Sequence, residues 1–521
     1  MSKPFSFGKL AVGTVASLEE AGAAPEPDTP FRVAILGDFS ARTHRGVLDP
    51  GSLVDRRPLA VDRDNFEEVM ARLNVELHLP IAGSGSPPVT IRFRELDDFH
   101  PDRIYGQVEA FGRLRALRRR LNDPRTFAAA AAEVRLGQEK APPEQRGKPA
   151  AASQTPTPEP SVAVPEGLFD RMLEQAEAQA PPPAPLFDRS QWESFLAEIV
   201  RPYSVAKADP QQPELVASVD AAAAELMRAI LHHPDFQAIE AAWRAVFFLV
   251  SRLETDTQLK LYLLDVSKEE LHADLEAAED LQATGIYKLL VEKTVHTLGG
   301  QPWALLAGNY TLDQTRKDAE MLGRMAKIAS RAGAPFVAAA SPRLLGCESL
   351  AATPDPDDWQ LASSPEDGEA WQSLRKLPDS SYLGLALPRF LLRLPYGPDT
   401  TGTEQFALEE MPGAPSHEAY LWGNPGFACV YLLGQAFSRD GWRFRPGVIA
   451  DIDGLPVHIY KAEGESLMKP CAEALLGDRA VEAILDKGLM PLVSFQNQGA
   501  VRLAGFRSLA DPPKRLMGRW A

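Results

Sequence analysis

Residues 139–187 of this 521-residue chain form a stretch through which neither a helix nor a sheet strand can run. Pro142, Pro143, Pro149, Pro156, Pro158, Pro160 and Pro165 come first, then Pro181, Pro182, Pro183 and Pro185. Each proline removes a backbone donor and fixes φ, so the stretch reads as a solvated, partly extended tether between two parts that fold. One segment inside it departs from that pattern. From Gly167 to Ala176 the apolar residues recur on a single helical face, which predicts a short amphipathic helix over 166–178. Leu168, Phe169, Met172 and Leu173 make up that face, and on a proline-flanked leash it is available for helix-in-groove recognition by a partner.

The rest of the composition is that of a globular protein, 45% hydrophobic and 24% charged, long enough for two or three domains. A formal charge of -16 argues against a nucleic-acid binder, because phosphate binding needs clustered Lys and Arg. The basic run Arg113–Arg120 carries Leu114, Leu117 and Leu121 at helical spacing and reads as a solvated helix face. Cys347, Cys429 and Cys471 are widely separated, with no CxxC pair, which fits reduced thiols and offers no disulfide or zinc framework. The amino terminus has no apolar signal region, and no stretch reaches the roughly 20 apolar residues that cross a bilayer, so a cytoplasmic chain without membrane insertion is expected.

In the first part, residues 1–30 read as an extended arm that is an unpaired edge unless another strand covers it. Phe31–Phe39 is a buried strand ended by Gly37 and Asp38. A helix is predicted from Val61, capped by Asp62 or Asp64, with Phe66, Val69, Met70 and Leu73 as its buried stripe. Val89–Arg94 alternates as a half-exposed strand. Asp97, Asp98, His100 and Asp102 have metal-ligand chemistry, but acidic residues at a helix amino terminus explain them without a ligand. Helices over 103–121 and 126–134 follow.

The second part opens with helices at 192–200, 215–231 and 239–253, the last two separated by His232-His233-Pro234-Asp235, read as a helix turn because adjacent histidines face different ways. Leu259–Val266 is a strand, and Ser267 to Glu270 is a capping box. Pro302–Gly308, Lys317–Ala332 and Pro335–Ala340 form a strand, helix and strand, hence a βαβ unit with a right-handed crossover and a partly parallel sheet. Tyr382–Pro388 and Val457–Tyr460 add strands among Gly- and Pro-rich turns. The fold class is therefore α/β, with mixed sheets and βαβ units flanked by helices, in two halves joined by the linker.

Ile35-Leu36-Gly37-Asp38-Phe39-Ser40, Val61 to Phe66, and Leu96-Asp97-Asp98-Phe99-His100-Pro101-Asp102 followed by Leu114-Arg115-Ala116-Leu117 resemble the small subunit of the type VI secretion contractile sheath. His232 to Gln237 with Glu240 and Trp243, Leu264 to Lys268, Gly299 to Pro302, Ala334-Pro335-Phe336, Leu387 to Tyr396 and Tyr420 to Asn424 resemble its large subunit. The resemblance implies a fusion: an arm at 1–30, a small-subunit-like domain at 31–138, the linker at 139–187 and a large-subunit-like domain at 188–521. In the family the large subunit continues past the region of Gly488 to Leu492 into a further domain, so the resemblance also implies a shortened carboxyl end. It places Leu168, Phe169, Met172 and Leu173 at the helix that the recycling AAA+ ATPase grips, and it makes Phe7, Leu10 and Val12 a strand-addition arm toward a neighbouring subunit.

No phosphate loop, dinucleotide fingerprint, HExxH or GxSxG motif is present in the sequence. His417-Glu418 reads as a surface loop, and Arg389 and Arg393 as an ion pair or subunit contact in preference to catalytic arginines. The expected protein is a non-enzymatic structural component of a contractile sheath without cofactor or metal. Its expected partners are other sheath subunits or further copies of itself, the AAA+ ATPase, and baseplate or inner-tube proteins. A capping or regulatory sheath-like component that does not polymerise, and an enzyme with an unfamiliar site, are the alternative readings.

Overall fold

The computed structural model describes residues 5–10, 25–81, 88–123, 125–139, 212–297, 299–413, 415–462 and 464–520. The linker, the helix expected at 166–178, the helix expected at 192–200 and Val12 lie outside the described residues.

The first part contributes β1 (Phe31–Gly37), β2 (Leu59–Val61), β3 (Val75–Leu79) and β4 (Val89–Phe93). The second adds β5 (Leu259–Asp265), β6 (Leu305–Leu312), β7 (Phe336–Ala340) and β8 (Leu383–Leu387), and the short pair β9 (Phe390–Leu391) and β10 (Trp422–Gly423). Further on come β11 (Asp451–Ile452), β12 (His458–Ala462), β13 (Glu465–Lys469), β14 (Met490–Ser494) and β15 (Val501–Leu503). Among the described residues nine of these make one sheet, in the order β11-β15-β14-β8-β7-β6-β1-β5-β2. Its centre is parallel, as the βαβ pattern requires: β6, the helix Arg316–Ala332 and β7 form the crossover, and Gly333 ends that helix in the left-handed region at φ 64°.

The sequence leaves the neighbours of β1 open, and the structure places them in the second part. β1 lies parallel between β5 and β6, with Phe31 beside Leu259 through to Gly37 beside Asp265. Phe31, Val33 and Ile35 feed the core on one face of the sheet, while Ala34 and Leu36 feed the core on the other. A strand that is apolar on both faces needs cover on both, and the first part offers it no strand partner, since β3 and β4 form a separate antiparallel pair. β2 also leaves the first part, to pair antiparallel with β5 at the sheet edge. Each large apolar side chain of β1 is fully buried, a gain of about 2 kcal/mol apiece.

Local departures have local causes. The helix expected from Val61 begins at Phe66 with Asn65 as N-cap, while Asp62 accepts the Asp64 and Asn65 amides in the turn before it. The helix expected over 103–121 is two, Pro101–Gln107 and Glu109–Asn122, broken where Val108 is extended. Two helices start on the same His-Pro-Asp triplet. In Pro101–Gln107 and Pro234–Arg252 the preceding His Nδ1 accepts the Asp amide, at 3.2 Å and 3.3 Å, and proline fills the first turn, where no donor is missed. The acidic residues at 97–102 are used in the same way: Asp98 accepts the Arg94 amide, and Asp102 those of Glu404 and Gln405.

Candidate functional site

The seam between the two parts carries a concentrated set of charged contacts. Glu270 sits at the third position of the helix Lys268–Glu276, where it completes the capping box with Ser267. Its buried carboxylate also receives Arg42 through Nε and Nη2, at 2.9 Å and 2.7 Å, and Arg56 through Nη1 and Nη2, at 3.0 Å and 2.7 Å. Burial works to raise this carboxyl, but Arg56, Arg42 and the amides of Asp49 and Ser267 outweigh it and hold the group down to about 2. Beside it, Asp265 at the end of β5 accepts the amides of Phe39 and Ser40 and the Ser40 hydroxyl. The buried Trp243 indole donates to the Phe39 carbonyl at 2.9 Å. Two guanidiniums from the first part on one carboxylate of the second make the seam specific in register as well as apolar.

The arm is the second candidate. Phe7 packs against Gly323 so closely that an added Cβ there would lie 2.1 Å from the ring. Lys9 donates its amide to the Glu279 carbonyl at 2.6 Å and accepts from the Leu281 amide at 2.9 Å, a one-residue strand bridge. Lys327 closes the groove by donating to the Gly8 carbonyl at 2.6 Å. Phe7 and Leu10 are thus seated on the second part of their own chain.

The two arginines named from the sequence have different surroundings. Arg393 is enclosed by its own chain, between Glu240 and Glu410, with Nε 2.8 Å from the first and Nη1 2.8 Å from the second. The enclosure burial lowers the guanidinium's affinity for its proton, yet Glu240 and Glu410 raise it further than burial lowers it. Glu410, raised by burial and lowered more by Arg393, His232 and the Tyr396 amide, is held at about 2. Arg389 is part-exposed and pairs with Glu473 at 2.5 Å. Glu473 also takes His417 at 3.3 Å, and Lys469 lies 3.1 Å from the other nitrogen of that ring. This group stands at the root of the β12–β13 hairpin, which forms a sheet of its own with no further strand on either edge among the described residues. Ile459 is 65% exposed on it and Leu467 41%.

Residues 213–510 match the model of the family described as EvpB/VC_A0108, tail sheath N-terminal domain. The chain belongs to that tail sheath family. Residues 15–136 match a second model, described as type VI secretion system, VipA, VC_A0107 or Hcp2. The type VI secretion system sheath protein TssC1 of Pseudomonas aeruginosa is 36% identical over 304 residues, which is 57% of this chain and 61% of that protein. Small- and large-subunit-like sheath segments are therefore joined in one polypeptide, and they meet at the seam of β1 with β5 and β6. Within the tail sheath segment the sequence reading named Arg389 and Arg393 but missed Glu270. It was legible as a capping-box residue, whereas its partners lie 228 and 214 positions away, beyond any local pattern.

Proposed function

We propose that this chain is a structural subunit of a type VI secretion contractile sheath and works by assembly in the bacterial cytoplasm. The observation that carries the reading is β1 between β5 and β6: the two sheath-family segments complete one sheet, so a single chain presents the pair at a fixed ratio of one to one. The linker supplies a high effective concentration of one for the other. Assembly with further copies or with other sheath subunits uses surfaces outside this seam. The β12–β13 hairpin, with no further strand on either edge among the described residues, Ile459 and Leu467 exposed, and Arg389 at its root, fits the flank of a second copy. Baseplate and inner-tube proteins are the further partners of such an assembly. The leash residues Leu168, Phe169, Met172 and Leu173 fit the groove of a recycling AAA+ ATPase, on their sequence pattern.

Electron microscopy of the purified chain, alone and with sheath subunits from the same cell, tests the reading. Helical or tubular particles, or co-sedimentation with those subunits, are expected, and Ile459→Asp with Leu467→Asp reduces both. A chain that stays monomeric and co-sediments with nothing overturns it. For the leash, a peptide of residues 166–178 binds the amino-terminal domain of the ATPase, and unchanged affinity after Phe169→Asp plus Leu173→Asp refutes the grip.

A further inference from the structure

A cavity of about 410 Å³ opens beside the seam, on the face of the sheet where Arg32 of β1 and Tyr262 of β5 project. Arg32, Arg56, Arg57 and Lys293 line it together with Pro58, Leu289, Thr294, Gln301 and Trp303. Every charged residue of the lining is a cation, in a chain whose net charge is -16. Like charges brought together in a partly enclosed space repel, and the arrangement is stable only where something answers them.

The protein answers part of this charge. Arg56 is committed to Glu270, to the carbonyls of Asp265 and Asp49 and to the Ser52 hydroxyl. The Arg32 guanidinium lies against the rings of Trp303 and Tyr262, 4.2 Å and 4.7 Å from their centroids, and donates to the Gln301 carbonyl. Lys293 donates to the Val54 carbonyl. These acceptors are neutral, and among the described residues neither Arg32 nor Lys293 has a carboxylate in an ion pair with it. Arg57 is exposed and has no acceptor among the described residues. Lys260, the register partner of Arg32 on β5, brings a further positive charge alongside.

Two donors are left over. Arg32 Nε and the indole Nε1 of Trp303 are buried without a hydrogen-bond partner among the described residues, and Trp303 is only 1% exposed. A buried donor without an acceptor is costly, and both belong to residues of this lining. The opposite wall is a π-helical turn, Lys288–Glu292, in which the Lys293 amide reaches back to the Lys288 carbonyl at 2.9 Å. Such turns are rare and concentrate at functional sites. Here the turn is followed at once by Lys293 and Thr294 in the wall.

We propose that this cavity binds a multivalent oxyanion, two or more phosphate or carboxylate groups held between Arg57 and Lys293 at the mouth and Arg32 over Trp303 within. The volume exceeds that of a single inorganic phosphate and falls in the range of small-molecule sites, about 300–1,000 Å³. The chemistry is shared by a free phosphate compound and by clustered acidic side chains of a second copy of this chain.

Isothermal titration calorimetry of the full chain with sodium pyrophosphate, and with sodium phosphate as the smaller probe, tests this directly. Pyrophosphate is expected to bind in the sub-millimolar range and more tightly than phosphate, with affinity falling as salt rises. Arg57→Ser with Lys293→Ser, both exposed positions, weakens it by about tenfold or more. Trp303→Phe keeps an aromatic ring beside Arg32 but removes the N–H together with the pyrrole part of the indole, so its denaturant midpoint is read beside its pyrophosphate affinity to separate a binding role from a folding one. Light scattering on the same variants without added anion distinguishes the sources: loss of self-association in the double variant assigns the cavity to a second copy, and loss of pyrophosphate binding alone assigns it to a free compound. No binding up to about 10 mM pyrophosphate with unchanged self-association overturns the proposal, as does equal binding by wild type and the double variant.

Discussion

Replacing Glu270 by Gln should loosen the seam between the two sheath-like segments more than any exposed substitution does. The carboxyl is held at about 2 against an ordinary value of 4.5, and a difference of that size corresponds to about 3 kcal/mol favouring the folded state at neutral pH. Because the folded value is depressed, the contribution is complete above about pH 4.5 and is lost as pH falls through about 2. Gln keeps the shape and one acceptor but leaves Arg42 and Arg56 facing a neutral group. Hydrogen exchange read by mass spectrometry localises the effect, since opening of the seam exposes the amides of β1 and β5. In Glu270→Gln, peptides covering 31–37 and 259–265 should exchange about 100-fold faster at pH 7. In the wild type the same peptides should lose protection between pH 5 and pH 3, after correction for intrinsic rates, and the variant should change less over that interval. The exposed pair of Arg92 with Glu76 serves as control, and its removal should alter these peptides little. Protection within about threefold of wild type in Glu270→Gln would show that the apolar register of β1 holds the seam without the guanidiniums.

Other outcomes follow from the same geometry. Arg393→Ala takes the bridging guanidinium from the buried carboxylates of Glu240 and Glu410, leaving the first to Arg244 and the second to the Tyr396 amide and His232, and should destabilise the fold by about 3 kcal/mol, seen as a lowered denaturant midpoint; Arg393→Lys should recover only part, since one ammonium cannot bridge both carboxylates as the fork does. Gly323→Ala should displace Phe7 and release the arm, with faster exchange at residues 5–10 and 279–281 and unchanged protection in β1; an arm as protected as in wild type refutes the close-contact argument. Burial raises the thiols of Cys429 and Cys471 to about 12 and about 11 and also raises Cys347, so iodoacetamide at pH 8 should label none of the three until the chain is unfolded. Rapid labelling of Cys429 in the native protein contradicts the packing of its helix.

What the sequence made legible was what is decided locally. The Ser267 capping box, the helix start at His100-Pro101-Asp102, the glycine stop at Gly333 and the βαβ unit from β6 to β7 are each written within a few residues, and all are in the structure, whereas the helix expected from Ile239 begins earlier, at Pro234. β1 was legible as a buried strand but not as a guest, since nothing in Phe31–Gly37 says that its neighbours are β5 and β6. The helix Pro425–Asp440 gave no amphipathic stripe because it is buried on nearly every side, and its start depends on Asn424, whose side chain accepts the Gly426 amide and donates to the Tyr310 carbonyl. β3 was missed although Val75, Leu77 and Leu79 alternate with polar residues, the pattern of a half-buried strand. Arg393 was legible as a residue for an ion pair or subunit contact, but not its partners, since the two glutamates that pair with it inside the fold come from positions 153 and 17 residues away.

The place of β1 also sets a timetable. Its residues leave the ribosome early, yet both strands that flank it lie beyond Leu259, about 220 residues later, so at about 5–20 residues per second it waits on the order of 10–45 s for its neighbours. During that interval a strand apolar on both faces has no sheet to join, the condition under which unpaired edges find wrong partners. Such pairings, distant in sequence, close slowly. Carrying the second segment on the same chain means that the strand's rightful neighbours arrive tethered to it, so the search ends within one molecule and at a rate independent of protein concentration.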